Sequence, residues 1–454
     1  MKKFGITLLL LLIVKIGLTQ LLIDAEFRPR GEYRYGYKLL PEPGVVAANF
    51  ISQRTRLNLN YSHSKFNVGI SLQDVRVWGD EQLYSSTGVF GDKASIEMKE
   101  GWIELLAGKH NAFKIGRQFF SYEDARLLAK RNWNQNALAY DAFLYKFSKN
   151  DLKLHVGLSI NNNKENVFGG DYNLYDEIIY LDTITNTLIT QKVSISSRIQ
   201  SLNFLYLSKA LNEKSHLSFF ALATGFQKPD TKGTIYIKGT YGLFFKYAPE
   251  NFGMRTGIYY QNGKNKIGQN VSAYMFNFCG NFTFDPFSVE AGLDYISGQD
   301  ALNENENYKN KDHFFDIFYG ARHKYYGFMD YFSNMRIATD NGGLVDFYCG
   351  LKYKLSDKSD LSLDYHYFSL QNRVSDPTVE GEMNKALNKA LGSELDLVFG
   401  IKIFKEVKIS GGFSFLLPTE SLEKIQGVEP GSSKFAYWGW IMLTARPTLF
   451  SSSQ

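Results

Sequence analysis

From residue 23 to residue 37 the chain sorts its side chains by parity. Ile23, Ala25, Phe27, Gly31, Tyr33, Tyr35 and Tyr37 form one set, broken only by Pro29, while Asp24, Glu26, Arg28, Arg30, Glu32 and Arg34 form the other. Successive side chains of a strand point to opposite faces, whereas a helix would spread both sets around its circumference. The segment therefore reads as a long strand with one aromatic, apolar face and one wholly charged face.

The pattern recurs to the end of the chain. Leu57, Leu59 and Tyr61 oppose Arg54, Arg56, Asn58 and Asn60, and Leu152 to Ile160 alternate with Lys153, His155 and Ser159. Ile235 to Tyr247, Phe252 to Tyr260, Phe287 to Tyr295, Val345 to Leu355 and Leu361 to Tyr367 repeat it. Leu395 to Ile403, Val407 to Phe415 and Tyr437 to Ala445 complete the set. Tight polar connectors at Ser148–Asp151, Ala248–Asn251 and Ser356–Ser359 join neighbouring segments. Longer polar stretches, Gly79 to Lys93, Asn161 to Ser197, Gln299 to Asp312 and Gln371 to Gly392, separate others, and Gly381 to Leu391 reads as a short loop helix.

Tight turns at one end and long loops at the other are the layout of an outer-membrane β-barrel. The fold class expected is all-β: a single transmembrane antiparallel barrel of about 18 strands, with long extracellular loops and short periplasmic turns. A sandwich or propeller would bury the apolar parity between sheets, and sheets of this extent normally break into repeats or domains; neither repeats nor linkers are visible. Phe4 to Val14, behind Met1-Lys2-Lys3, has the length of a secretory apolar core, and Gly17-Leu18-Thr19 makes a small-residue cleavage site. Residues 1–19 are thus expected to be a signal peptide and 20–454 the barrel. That leader carries Lys2, Lys3 and Lys15 and no acid, so removing it takes the formal charge from +5 to +2 and leaves no support for a nucleic-acid partner. With two cysteines there is no disulfide framework, and no Cys/His cluster suggests a metal; no cofactor fingerprint appears.

Single-chain bacterial barrels carry even strand numbers, so 18 is expected and 16 is the alternative; Phe314–Gly320 and Met335–Thr339 are the weakest strands counted. Eighteen strands about 4.8 Å apart and tilted ~40° enclose a cylinder roughly 35 Å across, far wider than a selective pore. Inward side chains and folded-in loops must then supply selectivity. Arginine is concentrated early: Arg28, Arg30, Arg34, Arg54, Arg56, Arg76, Arg117, Arg126 and Arg131 all precede residue 132. A guanidinium keeps its charge at physiological pH and grips a carboxylate in a two-point fork, so an arginine track along the polar parity suits anions. The plainer reading is that these arginines pair with Asp24, Glu26, Glu32 and Asp74 and brace neighbouring strands. No Ser/His/Asp spacing points to an enzyme. His155 and His366 read as lumen hydrogen-bonders, and His313 and His323 flank an aromatic loop.

Several segments taken together resemble the alginate-export family of outer-membrane porins: Asp24 to Tyr33, Gln53 to Asn58, Leu72 to Gly79, Ile115-Gly-Arg-Gln118, Asp124-Ala-Arg126, Asn132-Trp-Asn-Gln135 with Asp141-Ala142, Tyr319-Gly-Ala-Arg-His323 and Gly327 to Phe332. That resemblance implies an 18-stranded barrel passing an anionic polyuronate through an arginine-lined constriction, and carries the role onto Arg54, Arg56, Asp74, Arg76, Arg117, Arg126 and Asp141. At Asp74 and Arg76 parity disagrees, since the apolar set runs into them; either a bulge lies there or the strand has risen above the lipid.

The expectation is a passive, non-enzymatic channel in the outer membrane of a Gram-negative bacterium, with an alginate-like polyuronate as its cargo. The alternative is a porin for small anionic solutes such as sugar acids or phosphate. Expected partners are outer-membrane lipid, the anionic saccharide, the barrel-assembly machinery and periplasmic export proteins, around a monomeric barrel. A plugged, energised transporter is disfavoured because the first strand begins almost at the cleavage site.

Overall fold

Eighteen antiparallel strands pair in sequence order and the last returns to the first. The computed structural model describes residues 20–79, 96–161, 165, 175–182, 187–194, 199–227, 235–379 and 385–452. The expected leader and most of the polar stretch after Gly79 lie outside them. In chain order the strands are β1 (Gln20–Tyr35), β2 (Ala48–Ser62), β3 (Phe66–Val77), β4 (Ile96–Ala107), β5 (Asn111–Gln118), β6 (Tyr140–Lys149), β7 (Leu152–Ile160), β8 (Ile199–Ala210) and β9 (Ser215–Gln227). They continue as β10 (Ile235–Tyr247), β11 (Phe252–Gly263), β12 (Ala273–Phe284), β13 (Phe287–Ile296), β14 (Leu344–Ser356), β15 (Ser359–Leu370), β16 (Ala390–Lys402), β17 (Val407–Pro418) and β18 (Ala436–Ala445). β1 meets β18 from Phe27↔Ala445 to Tyr35↔Tyr437, and Thr448–Ser451 extends that seam beyond a register shift. Closure leaves the sheet without an edge.

Parity becomes inside and outside. Leu57, Leu205, Leu243, Phe278, Phe347, Leu397 and Ile441 stand exposed on the outer surface, while Glu26, Arg28, Arg54, Asp294, Asp346 and Glu394 of the other set are buried within. Outward aromatics stack near the strand ends, as in Phe287 on Tyr353 (4.9 Å) and Tyr33 on Tyr437 (6.0 Å), which suits the aromatic girdles of a membrane barrel. Turns of two to four residues join the strands at the end that also holds Gln20 and Ser451, the periplasmic side by the barrel rule. Asn150, at φ 50°, makes one of them by entering the left-handed region that asparagine tolerates.

Three sequence expectations change in detail. Tyr37 does not continue the outward face, because β1 ends at Tyr35 and Gly36 (φ 90°) turns the chain inward, where the Tyr37 hydroxyl bonds Asp330. Phe314–Gly320 and Met335–Thr339 are not barrel strands; both lie in the 297–343 loop, the latter mostly as a helical turn, Met335–Ala338. The described part of Gly381–Leu391 forms no helix, whereas Glu420–Gln426 does, between β17 and β18. A further hairpin, Tyr175–Asp182 with Thr187–Ser194, stands in the β7–β8 loop.

Candidate functional site

The lumen is narrowed by two loops that fold into it and lock together. The first, residues 119–139 between β5 and β6, is seated by Phe120, whose ring meets Tyr140 and Phe204 at 4.9 Å each. Four of its non-glycine residues, Glu123, Ala125, Arg131 and Ala137, hold positive φ angles, a cost that tertiary contacts must offset. Much of the offset comes from the wall behind. Arg28 donates to the carbonyls of Asn132 (2.7 Å), Trp133 (3.1 Å) and Asn134 (3.2 Å) and to Gln135 Oε1 (2.8 Å). Arg54 reaches the carbonyls of Asn134 (3.2 Å) and Gln135 (3.1 Å) and pairs with Glu26. Arg30 bonds Glu32 (2.9 Å) and the Trp133 carbonyl (3.2 Å) and lies over the Trp133 ring at 4.6 Å. Arg34 pairs with Glu32 (2.7 Å) and sits over Tyr37 and Phe50, and Arg56 bonds Gln73 (2.8 Å) and Asn132 Oδ1 (3.2 Å).

Three strands round the barrel from β1, on β16, the polarity is reversed. Glu394 and Asp396 of β16 accept from the backbone N–H groups of Met329 (2.6 Å) and Phe328 (3.3 Å) in the second loop, residues 297–343. Gly327, at φ 78°, is required there, since a Cβ would lie 2.5 Å from the Glu394 carboxylate. One wall thus grips loop carbonyls with guanidinium groups and the other grips loop amides with carboxylates, and each leaves few backbone groups unpaired.

Between the walls the loops bind each other. Ala129 N–H donates to the Tyr319 carbonyl (3.1 Å), Ala321 N–H to Ala125 (2.9 Å), and Arg131 Nε to Gly320 (3.0 Å). Arg126 is fully buried, pairs with Asp124 (2.9 Å) and with Asp294 of β13, and lies 3.8 Å from the Tyr325 ring centre. Although burial opposes its charge, Asp294 and the neighbouring acid and tyrosines hold the Arg126 guanidinium well above its ordinary pKa. It ties loop to wall.

What remains open is a set of compartments. A chamber of about 990 Å³ is lined by Arg30, Arg34, Tyr37, Trp133, His323 and Phe328 among others, with Asp330 as its one carboxylate. That carboxylate is engaged by His323 Nδ1 (2.9 Å) and by Tyr37; burial opposes its charge, but His323 holds it below its usual range. A cavity of about 270 Å³ against β2–β4 shares Lys130 and Asn132 with the chamber wall, and one of about 310 Å³ behind the second loop shares Arg322 and Asn334. Among the described residues the side chains of Lys130 and Arg322 have no hydrogen bond or ion pair. Burial draws the Arg322 guanidinium down to about 10, which leaves it charged at neutral pH.

The residues expected at the site therefore separate into groups. Arg28, Arg30, Arg34, Arg54 and Arg56 face inward together, and Arg126 lies within the lumen as a brace. Asp74 with Arg76 (2.7 Å) and Arg117 with Asp141 (3.0 Å) are salt bridges on the outward parity at the extracellular ends of β3, β5 and β6, away from the arginine wall. For Asp74 and Arg76 both sequence alternatives hold a part: the β3–β4 register shifts between Ser71 and Leu72, and the pair sits near the strand's outer end. Lys130 and Arg322 were missed, although Arg322 stands within the Tyr319–His323 segment; no periodicity marks a loop cation. Ser208 Oγ lies 2.6 Å from His216 Nε2, but inside the barrel rather than on the lipid face where a membrane-lipid hydrolase would need it. Among the described residues no group of three His, Cys, Asp or Glu could hold a metal.

Closure, an apolar outer belt and an occluded polar lumen define the class: an outer-membrane β-barrel with the porin fold. No family profile and no curated protein matches the sequence. Solved structures do match its fold. OprD, an outer-membrane protein of Pseudomonas aeruginosa, is 12% identical over 94% of this chain and 94% of its own, with a TM-score of 0.57. OccAB4 of Acinetobacter baumannii is 10% identical over 96% and 99%, at 0.56, and OccK9 (OpdG) of P. aeruginosa 11% over 94% and 98%, at 0.54. The resemblance to alginate-export porins is corrected by this: the solved barrels that match are of the OprD and Occ kind. Most of the residues that suggested the other family hold the first loop or form the two rim salt bridges, and Tyr319–His323 and Gly327–Phe332 lie in the second loop.

Proposed function

We propose that this chain is a passive channel for small anionic solutes, such as sugar acids or phosphate, and not for a polymer. One observation carries the reading: Lys130 and Arg322, two of the cations left unpaired, stand in the walls shared by successive compartments, while the arginines of the wall are occupied by the loop and by wall carboxylates. A solute anion passing from one compartment to the next meets a charge that no protein acid holds in an ion pair. The chamber falls in the size class of small-molecule sites, roughly 300–1,000 Å³, and the folded-in loops divide the lumen into pockets of that order. The fold of the OprD and Occ barrels supports a small cargo over a polysaccharide.

The test is reversal potential across a planar bilayer in a potassium chloride gradient, with the mature protein refolded from detergent. Wild type is expected to prefer anions. Lys130→Gln with Arg322→Gln is expected to cut that preference severalfold while the barrel still assembles. Equal ion preference in the two proteins would remove the basis of the proposal.

A further inference from the structure

At the periplasmic end of the lumen, where the short turns lie, a cavity of about 270 Å³ is lined by the ends of β12–β17. Five lysines and three aspartates face it. Lys354 pairs with Asp357 (2.8 Å) and Lys352 approaches Asp360 (3.4 Å), so two of the lysines are neutralised. Lys402 and Lys408 are not: among the described residues neither ammonium has a hydrogen bond or ion pair. They are also register partners, Lys402↔Lys408, on the inward face of β16 and β17. Like charges directly opposite each other on a sheet are destabilising, and bulk water only partly screens them. A Cβ at Gly400 would lie 2.7 Å from Lys408 Cε and 3.4 Å from Asp360 Oδ1, so Lys408 lies across β16 toward that carboxylate without pairing with it.

We infer that Lys402 and Lys408 form a second anion-binding site, at the periplasmic mouth, which takes a compact doubly charged oxyanion of the phosphate type. Two lysines at paired positions on one inward face can bring two ammonium groups to two charges on one small ion, while Lys352 of the same cavity is held by Asp360. The bound ion relieves the repulsion that the bare pair carries. The inference rests on the anion-channel reading for its place in transport, though not for the binding itself.

Two measurements test it. In the bilayer, inorganic phosphate added on the periplasmic side is expected to block chloride current in wild type, and Lys402→Gln with Lys408→Gln is expected to weaken that block about tenfold or more, the loss of two charge-assisted contacts. Block from the extracellular side is expected to stay as it was. In dodecyl maltoside without phospholipid, phosphate at constant ionic strength is expected to raise the melting temperature of wild type and leave the variant unmoved; in chloride the variant should melt no lower than wild type. Equal block and an equal phosphate shift in both proteins would overturn the site. Should the double variant fail to refold, Lys402→Gln alone gives the same comparisons with a smaller loss. A phosphate shift that survives while the bilayer shows no anion preference would keep the site and end the channel reading instead.

Discussion

A guanidinium inside a barrel serves whichever acceptor reaches it first. Arg54 was readable as a lumen residue because Leu57 and Leu59 fix the opposite face. Its partners were not readable, since they are carbonyls 78 to 81 residues further along the chain, in a segment with no periodicity. The same holds for Arg28, whose five hydrogen bonds all go to residues 132–135. Those bonds give a specific expectation for Arg54→Gln. Glu26 would keep Arg446 (2.7 Å) but lose its buried partner, at a cost of about 3 kcal/mol. The segment 132–135 would lose one of its two main anchors, so single-channel current should become larger and noisier while ion preference changes little. An unaltered current trace with a fall in anion preference would mean that solute, and not the loop, occupies Arg54.

At the scale of elements, strands and loops were legible to different degrees, for a physical reason. A strand in this barrel has lipid on one side and a polar lumen on the other, so its period of two is written in every second residue. A folded-in loop has protein on all sides and no such rule. Phe314–Gly320 therefore looked like a weak strand, although Phe314, Phe315 and Ile317 are buried under the 264–272 loop and the barrel wall. The first loop carries a titration of its own. Glu123 accepts from Ser218 Oγ (2.6 Å) and Tyr259 OH (3.3 Å), and burial, helped by Asp124, pushes its carboxyl up to about 7. A carboxyl raised above its unfolded value near 4.5 favours the docked loop below that pH, and the advantage is lost as pH rises toward 7. Open-channel noise is thus expected to grow between pH 5 and 8 in wild type. Glu123→Gln should flatten that dependence; a variant that tracks wild type across the range would show that another group drives it.

The molecule as a whole is arranged so that three environments are kept apart: lipid outside, charge on the inner walls, and loop backbone between them. Sequence parity resolved the first two, and it did so without any relative to align. The third decides what can pass, and it emerges only when Arg28, Arg54, Glu394 and Asp396 are seen to spend their charge on the loops, with Lys130 and Arg322 among the cations left without an ion pair. The outer face sets the strictest requirement, because hydrocarbon offers a charge no partner. Leu57 is exposed on β2 toward the middle of that strand, and Leu59 lies on the same face one pleat nearer the periplasm. Replacing both with lysine should cost up to ~2–4 kcal/mol per lysine near the bilayer midplane, less for the one nearer the interface. Folded yield in phospholipid vesicles, read by the heat-modifiable mobility of the barrel on gels, should fall sharply. The matched control, Asn58→Lys with Ser71→Lys, places the same charges on the inward parity of β2 and β3, where Asn58 and Ser71 now bond each other at 2.7 Å. There water and Asp24 can receive them, and assembly should survive. Equal yields for the two pairs would mean that this face of the barrel does not meet lipid, and the sidedness on which every inward assignment depends would have to be reversed.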